Sequence, residues 1–271
     1  MSHVAALQQQ RQQPQPAFPQ TDPYFESVTR HYLREHPGFV DYIAANDRAL
    51  ARYLENPLDK PEKRRVRPES RLDAIEELAT YPGVIAVAAH QQSHALYERG
   101  EFAKARAIAE AAHRYTGIDL HPGTKLGENL LIDHGTAVVI GEQAKVGDGT
   151  VIYHDSTLGA FGATPTDTPR HPSIGDNCTV SVGVEILGFV QAGNNVVFGP
   201  SSRVLGNHIV IGNNVRIGPN VHINDHVTIG DGVRIGADTV IMENSGAITQ
   251  EDLRETGGRI PACSRVGRDA D

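Results

Sequence analysis

The chain has 271 residues, a formal net charge of −8 and 39% hydrophobic content, enough for one large domain or two modest ones. A mildly acidic balance with no basic stripe argues against a nucleic-acid surface, and no run of 18 or more apolar residues offers a membrane span. The two cysteines, Cys178 and Cys263, form no pattern, so a reduced, cytoplasmic setting is expected, with Cys178 a small buried residue.

In chain order, Met1 to Gln20 is rich in Gln and Pro and lacks a signal-peptide core. With almost nothing to bury, it reads as a disordered tail over 1–20. A helical domain is expected over 21–117. Its first part, Asp22 to Leu54, places Tyr24, Val28, Tyr32 and Leu33 at helical spacing, with Pro37 as a break. A charged, proline-containing linker follows from Asn56 to Glu69. Helical patterning returns at Ser70 to Thr80 and at Val84 to Arg99. A Gly100-Glu101 turn then leads into a last helix, Phe102 to Tyr115, which Gly117 closes from just past its end.

From Ile118 the period changes to six. Leu120, Leu126 and Ile132 open the series, followed by Ile140, Val146, Ile152 and Leu158. After a break it resumes at Ile174, Val180, Ile186, Ala192, Phe198 and Val204, and a one-residue slip leads into Ile211, Ile217, Ile223, Ile229, Ile235 and Ile241. Six fits neither a helix nor a simple hairpin meander. It suits a parallel sheet coiled into a prism with three flat faces, one hexad to a face. The break, Ala160 to Pro169, is too long for a coil corner and reads as a protruding loop. The expected class is therefore α+β: the helical domain, a parallel β-helix over 118–248, and a C-terminal tail over 249–271. Flat faces favour packing against other copies, and a closed trimer satisfies such a contact without making fibres.

The hexads resemble the left-handed β-helix of the hexapeptide-repeat acyltransferases, and the expected handedness comes from that resemblance. A narrower likeness lies between Tyr81 and Gly188. Its pieces are Tyr81-Pro82-Gly83-Val84, His90, His94-Ala95-Leu96, Thr116 to Gly123, Ile132-Asp133-His134-Gly135-Thr136, Val139 to Glu142, Ser156 to Gly159, and Arg170-His171-Pro172. This ordered series resembles the serine acetyltransferase family, which makes O-acetylserine from L-serine and acetyl-CoA on the way to cysteine. The resemblance implies His134 as base and Asp119 as its partner. It further implies that Asp133 contacts the amino group of the substrate and that Arg170 and His171 hold its carboxylate. Acetyl-CoA would lie along a groove between two prisms, at Gly159, Ser181, Gly183 and Gly199. The assembly implied is a homotrimer or a dimer of trimers, and no metal is expected.

The residue chemistry agrees with these roles. Moving an acetyl group from a thioester to a hydroxyl needs a base of near-neutral pKa, which histidine supplies. His134 lies 15 residues after Asp119, close to one coil, so the two could meet on neighbouring strands; a carboxylate on one ring nitrogen fixes the tautomer and frees the other. Arginine grips carboxylates in bidentate fashion. Neither cysteine falls in the matched motifs, so direct attack without an acyl-enzyme is expected. His208, His222 and His226 lie in adjacent coils but at different hexad positions across the slip, and convergence on one zinc is not expected.

The chain also departs from the family pattern. Arg67-Pro68 stands where the family has Asp-Pro, with Glu69 and Asp73 the only close carboxylates, and His90-Gln91 replaces a His-Arg pair. The coil runs on for about two extra turns, and the family's Gly-x-Pro-Ala-Arg ending is missing. The last residues, Asp269-Ala270-Asp271, lack the family's terminal isoleucine, so no stable complex with the cysteine-synthesising enzyme is expected. These changes leave two substrate classes: L-serine, or another small amino or hydroxy acid such as homoserine, a diamino acid or a dicarboxylate.

Overall fold

A computed structural model describes residues 23–35, 81–162, 168–242, 245–253, 256 and 258–266. The readings for 1–20, the linker with Arg67-Pro68, and the helix at 70–80 lie outside the described residues. Those residues form three α-helices followed by 22 short strands. Helix α1 is Pro23–Glu35, α2 is Pro82–Glu98 and α3 is Phe102–Thr116. Both later helices match the sequence reading to within two residues. Pro82 opens α2 in its first turn, where a missing N–H costs nothing. Gly117 ends α3 in the left-handed conformation (φ 73°), its N–H donating to the His113 carbonyl at 2.8 Å. Among the described residues, no helix is long and apolar enough to cross a membrane.

The strands run in strict rotation onto three parallel sheets of eight, seven and seven strands, forming a left-handed β-helix. Face 1 carries β1 (Asp119–Leu120), β4 (Val139–Ile140), β7 (Thr157–Gly159), β10 (Glu185–Leu187) and onward to β22 (Arg265–Val266). Face 2 runs from β2 (Lys125–Leu126) through β5 (Lys145–Val146) and β8 (Ser173–Ile174) to β20 (Gly246–Ile248). Face 3 runs from β3 (Leu131–Asp133) through β6 (Val151–Tyr153) and β9 (Thr179–Val180) to β21 (Arg259–Ile260). The hexad anchors are in register across each face, as in Ile140↔Leu158 and Ile186↔Val204. All point inward: Ile132, Ile152, Ile186, Phe198, Val204 and Ile223 have no measurable exposure. Each such side chain contributes about 1.5–3 kcal/mol by leaving water.

The edges are tied as well. Along the edge between faces 2 and 3, the backbone N–H of Asp148 donates to Asp176 Oδ1, that of Asp176 to Asn194 Oδ1, and that of Asn194 to Asn213 Oδ1, at 2.8–2.9 Å. Polar side chains thus satisfy corner amides that no strand can reach. The coil also continues past residue 248, where the sequence reading places a tail. Strands β21 and β22 pair with β18 (Arg234–Ile235) and β19 (Val240–Ile241), and Ile260 is buried on the same core. The hexad count misses them because a longer loop separates Ile248 from Ile260.

Helices α2 and α3 pack on the first coil. Gly83 lets α2 touch β3, since a Cβ there would sit 2.0 Å from the Ile132 carbonyl oxygen. This contact brings Tyr81 to the residues that follow Ile132.

Candidate active site

Between anchors Ile132 and Ile140 the chain uses eight positions instead of six, and the surplus makes the edge between faces 3 and 1 bulge at His134. His134 adopts φ 61°, a left-handed conformation that costs a non-glycine residue about 1 kcal/mol or more. Its side chain is 47% exposed, and Nε2 lies 3.9 Å from Asp133 Oδ1. Asp133 is buried and accepts a short hydrogen bond from the Tyr81 hydroxyl, which also receives the His134 backbone N–H at 3.3 Å. Burial, reinforced by the Asp133 carboxylate, pushes the Tyr81 phenol far above its ordinary pKa, so it remains a donor.

Asp119 begins β1 and donates its N–H to the Val138 carbonyl at 2.9 Å, so it adjoins the corner that carries His134. The carboxylate oxygen at 3.9 Å from the His134 ring belongs to Asp133.

Sequence reasoning missed His154. It occupies the same edge one coil further on, and its ring meets that of His134 edge-on, with centroids 5.8 Å apart. Its Nδ1 is buried without a hydrogen-bond partner among the described residues. The 20-residue spacing between them repeats the Ile132–Ile152 register and was visible in the sequence. Tyr81 was noticed only as part of a motif, because its reach to Asp133 depends on how α2 docks.

Arg170 and His171 stand at the edge between faces 1 and 2, where the loop after β7 returns to β8. The Arg170 N–H donates to Gln143 Oε1 at 3.0 Å, and His171 Nδ1 lies 3.4 Å from the same oxygen. The His171 ring covers Gly141, where a Cβ would come within 2.4 Å of it. Burial, then the neighbouring Arg170 charge, lowers the His171 pKa and keeps the ring neutral at pH 7. Arg170 Nε is buried with no partner among the described residues, a donor available to an incoming acceptor.

The two groups do not meet within one chain. Gly141, beneath His171, directly follows β4 (Val139–Ile140) and His134 stands on the corner before that strand, so the width of face 1, on the order of 15–20 Å at the rise of a strand, separates them. The four remaining candidates divide in the same way. Ser181, Gly183 and Gly199 continue the His134 edge coil by coil, with the Gly183 N–H donating to the His154 carbonyl at 3.1 Å. Gly159 ends β7 on the edge of Arg170.

His208, His222 and His226 behave differently from the sequence reading. His222 lies on face 1 in β16 (His222–Ile223), paired with Arg203. His208 and His226 are 18 residues apart (226 − 208), one full coil, and stack at 4.4 Å beside Asp225. The slip lies between Val204 and His208, so from His208 onward the register is unbroken and both occupy the same corner.

The bacterial transferase hexapeptide family (six repeats) matches residues 208–242. A serine acetyltransferase of Staphylococcus aureus is 43% identical over 131 residues, which make up 48% of this chain and 61% of that protein. The serine acetyltransferase of Staphylococcus epidermidis gives the same identity and coverage. The chain thus spans about three-fifths of the length of these curated relatives. A solved serine acetyltransferase of Brucella abortus in complex with coenzyme A is 25% identical with a TM-score of 0.49, covering 69% of each chain. The chain is thus similar to the hexapeptide-repeat transferases over residues 208–242 and, over a stretch of 131 residues, to serine acetyltransferases.

Proposed function

We propose that this chain is an acetyl-CoA-dependent acetyltransferase acting on the hydroxyl of L-serine. One observation carries the reading: an exposed imidazole, His134, stands on a prism edge beside a buried, hydrogen-bonded carboxylate and a second imidazole, His154. The name shared by the relatives supports the acceptor. His134 takes the hydroxyl proton as the serine oxygen bonds to the thioester carbonyl carbon. The C–S bond then breaks, and the departing CoA thiolate recovers the proton from the imidazolium. Asp119 holds the His134 tautomer, a role its place beside that corner supports. Asp133 receives the amino group, while Arg170 and His171 receive the carboxylate. Acetyl-CoA runs along the edge of Ser181, Gly183 and Gly199, with Gly159 contributed across the groove. The setting is cytoplasmic, where acetyl-CoA is made and used.

His134 and Arg170 lie too far apart to share one small substrate, so the site takes Arg170 from a second copy. A homotrimer, single or doubled, brings the edge between faces 1 and 2 of one chain against the His134 edge of the next. A second acceptor class is favoured by one feature: Arg67-Pro68 where the family has Asp-Pro. An arginine in that place suits an acceptor with a second acidic group, a dicarboxylate, over homoserine or a diamino acid.

Thiol release from acetyl-CoA, measured with L-serine, L-homoserine, L-threonine, diaminopropionate and malate, tests both. Saturation by L-serine below millimolar concentration supports the main reading. Turnover only with a dicarboxylate or diamine selects the second, and no release with any acceptor overturns both.

A further inference from the structure

Two coils beyond Arg170 and His171, the same edge between faces 1 and 2 carries a cluster that acetyl transfer does not use. His208 precedes β14 (Ile209–Ile211), and Asp225-His226 precedes β17 (Val227–Ile229), so the two histidines occupy one corner on successive coils. Their rings stack at 4.4 Å with planes 23° apart. Both turn Nδ1 toward the same carboxylate: His208 Nδ1 lies 3.5 Å from Asp225 Oδ1, and His226 Nδ1 lies 3.6 Å from Oδ2. One candidate ligand atom from each residue lies within 4.8 Å of the others.

Asp225 has a structural duty as well. Its Oδ1 accepts the backbone N–H groups of His208 at 2.7 Å and His226 at 2.8 Å. Asp231 serves the opposite edge in the same way, accepting the Asn213 N–H at 2.6 Å, and there the bonded amide belongs to an asparagine. The capping duty therefore explains the carboxylate but not the two imidazoles. His226 in addition holds φ 58°, a left-handed corner position filled elsewhere in the coil mostly by Asn, Asp or Gly. Among the described residues, His134 is the other histidine in that conformation.

We propose that His208, Asp225 and His226 bind a divalent transition-metal ion of the zinc class, which staples two successive coils. Two imidazole nitrogens and one carboxylate oxygen are a donor set that zinc accepts, with a fourth position left to water. Bonds of about 2.0–2.1 Å place tetrahedral ligand atoms about 3.3 Å apart, so closing the site asks for shifts of roughly 1 Å. The two histidine side chains are 65% and 48% exposed, so such shifts displace no buried core side chain. Asp225, pinned by backbone amides, is the fixed member of the set. The ion would join the coil of His208 to that of His226 independently of the acetyl-transfer chemistry.

The test uses the full chain, stripped with chelator and titrated with zinc chloride in a calorimeter, with thermal melting in parallel. One ion per chain, a melting point raised by zinc, and loss of both in His208→Ala/His226→Ala is the expected result, with affinity falling at least tenfold. His222→Ala, on a face of the prism, should bind as the unaltered chain does. Equal binding by the double variant would mean that the ion sits on other histidines, and would overturn the proposal. So would absence of binding to the unaltered chain. Either single substitution, at an exposed side chain, serves if the double variant fails to fold.

Discussion

At the scale of single residues, the edge proposed to carry the reaction concentrates features that folding alone does not require. His134 in a left-handed corner, Asp133 buried beneath it and Tyr81 holding that carboxylate all act against easy packing. His134→Ala should lower kcat by about 10²–10⁴-fold, the usual worth of a general base, with little change in the KM for acetyl-CoA. Steady-state thiol release measures both. Tyr81→Phe removes the donor that fixes Asp133, so it should raise the KM for the acceptor and leave that for acetyl-CoA in place. His90 gives a stability prediction. It is buried in α2, and burial, aided by the nearby His94, pushes its pKa down to about 4. Between that value and an unfolded pKa near 6.5 the unfolded chain binds the extra proton. Stability is therefore intact above about pH 6.5 and falls as pH drops toward 4, by about 3 kcal/mol in all. Melting curves at pH 7 and pH 4.5 should show a larger drop for the unaltered chain than for His90→Leu.

At the scale of elements, the helices matter through where they touch the coil. Gly83 is the contact of α2 with β3, and a methyl group there meets a backbone carbonyl that cannot step aside. Gly83→Ala should cost about 1–3 kcal/mol, read as a lower denaturation midpoint. It should also weaken acceptor binding, because Tyr81 moves with the helix. Gly141 is the matching contact under His171. Gly141→Ala should lift that ring and raise the KM for the acceptor while the coil melts nearly as before. An unchanged KM would detach His171 from substrate binding.

At the scale of the whole molecule, three flat faces repeat one core position, and the candidate site residues stand at edges. His134 with its row of small residues occupies one edge, and Arg170 with His171 another. If the site is shared between copies, His134→Ala and Arg170→Ala should each be nearly inactive alone. Mixed after partial dissociation, they should recover activity, since hybrid assemblies contain interfaces with both native residues. Thiol release from the mixture, beside light scattering for the assembly, checks this. Recovery no greater than the sum of the parts would place the whole site within one chain.

The sequence by itself determined the coil. A six-residue period has one economical burial solution, and Ile132, Ile186 and Ile223 lie where that solution puts them. It also located α2 and α3, through Pro82, Gly117 and helical spacing. The candidate residues His134, Asp119, Asp133, Arg170 and His171 were legible through likeness in short ordered motifs. What only the tertiary structure decided depends on distances across the prism. Tyr81 reaches Asp133 because a glycine lets a helix dock, His154 meets His134 because coils stack, and His171 covers Gly141 at the far end of face 1. The pairing of His208 with His226, and the strands beyond residue 248, escaped the hexad reading for one physical reason. Register along the coil is set by loop lengths at its corners, which accumulate slips and insertions that a local period does not record.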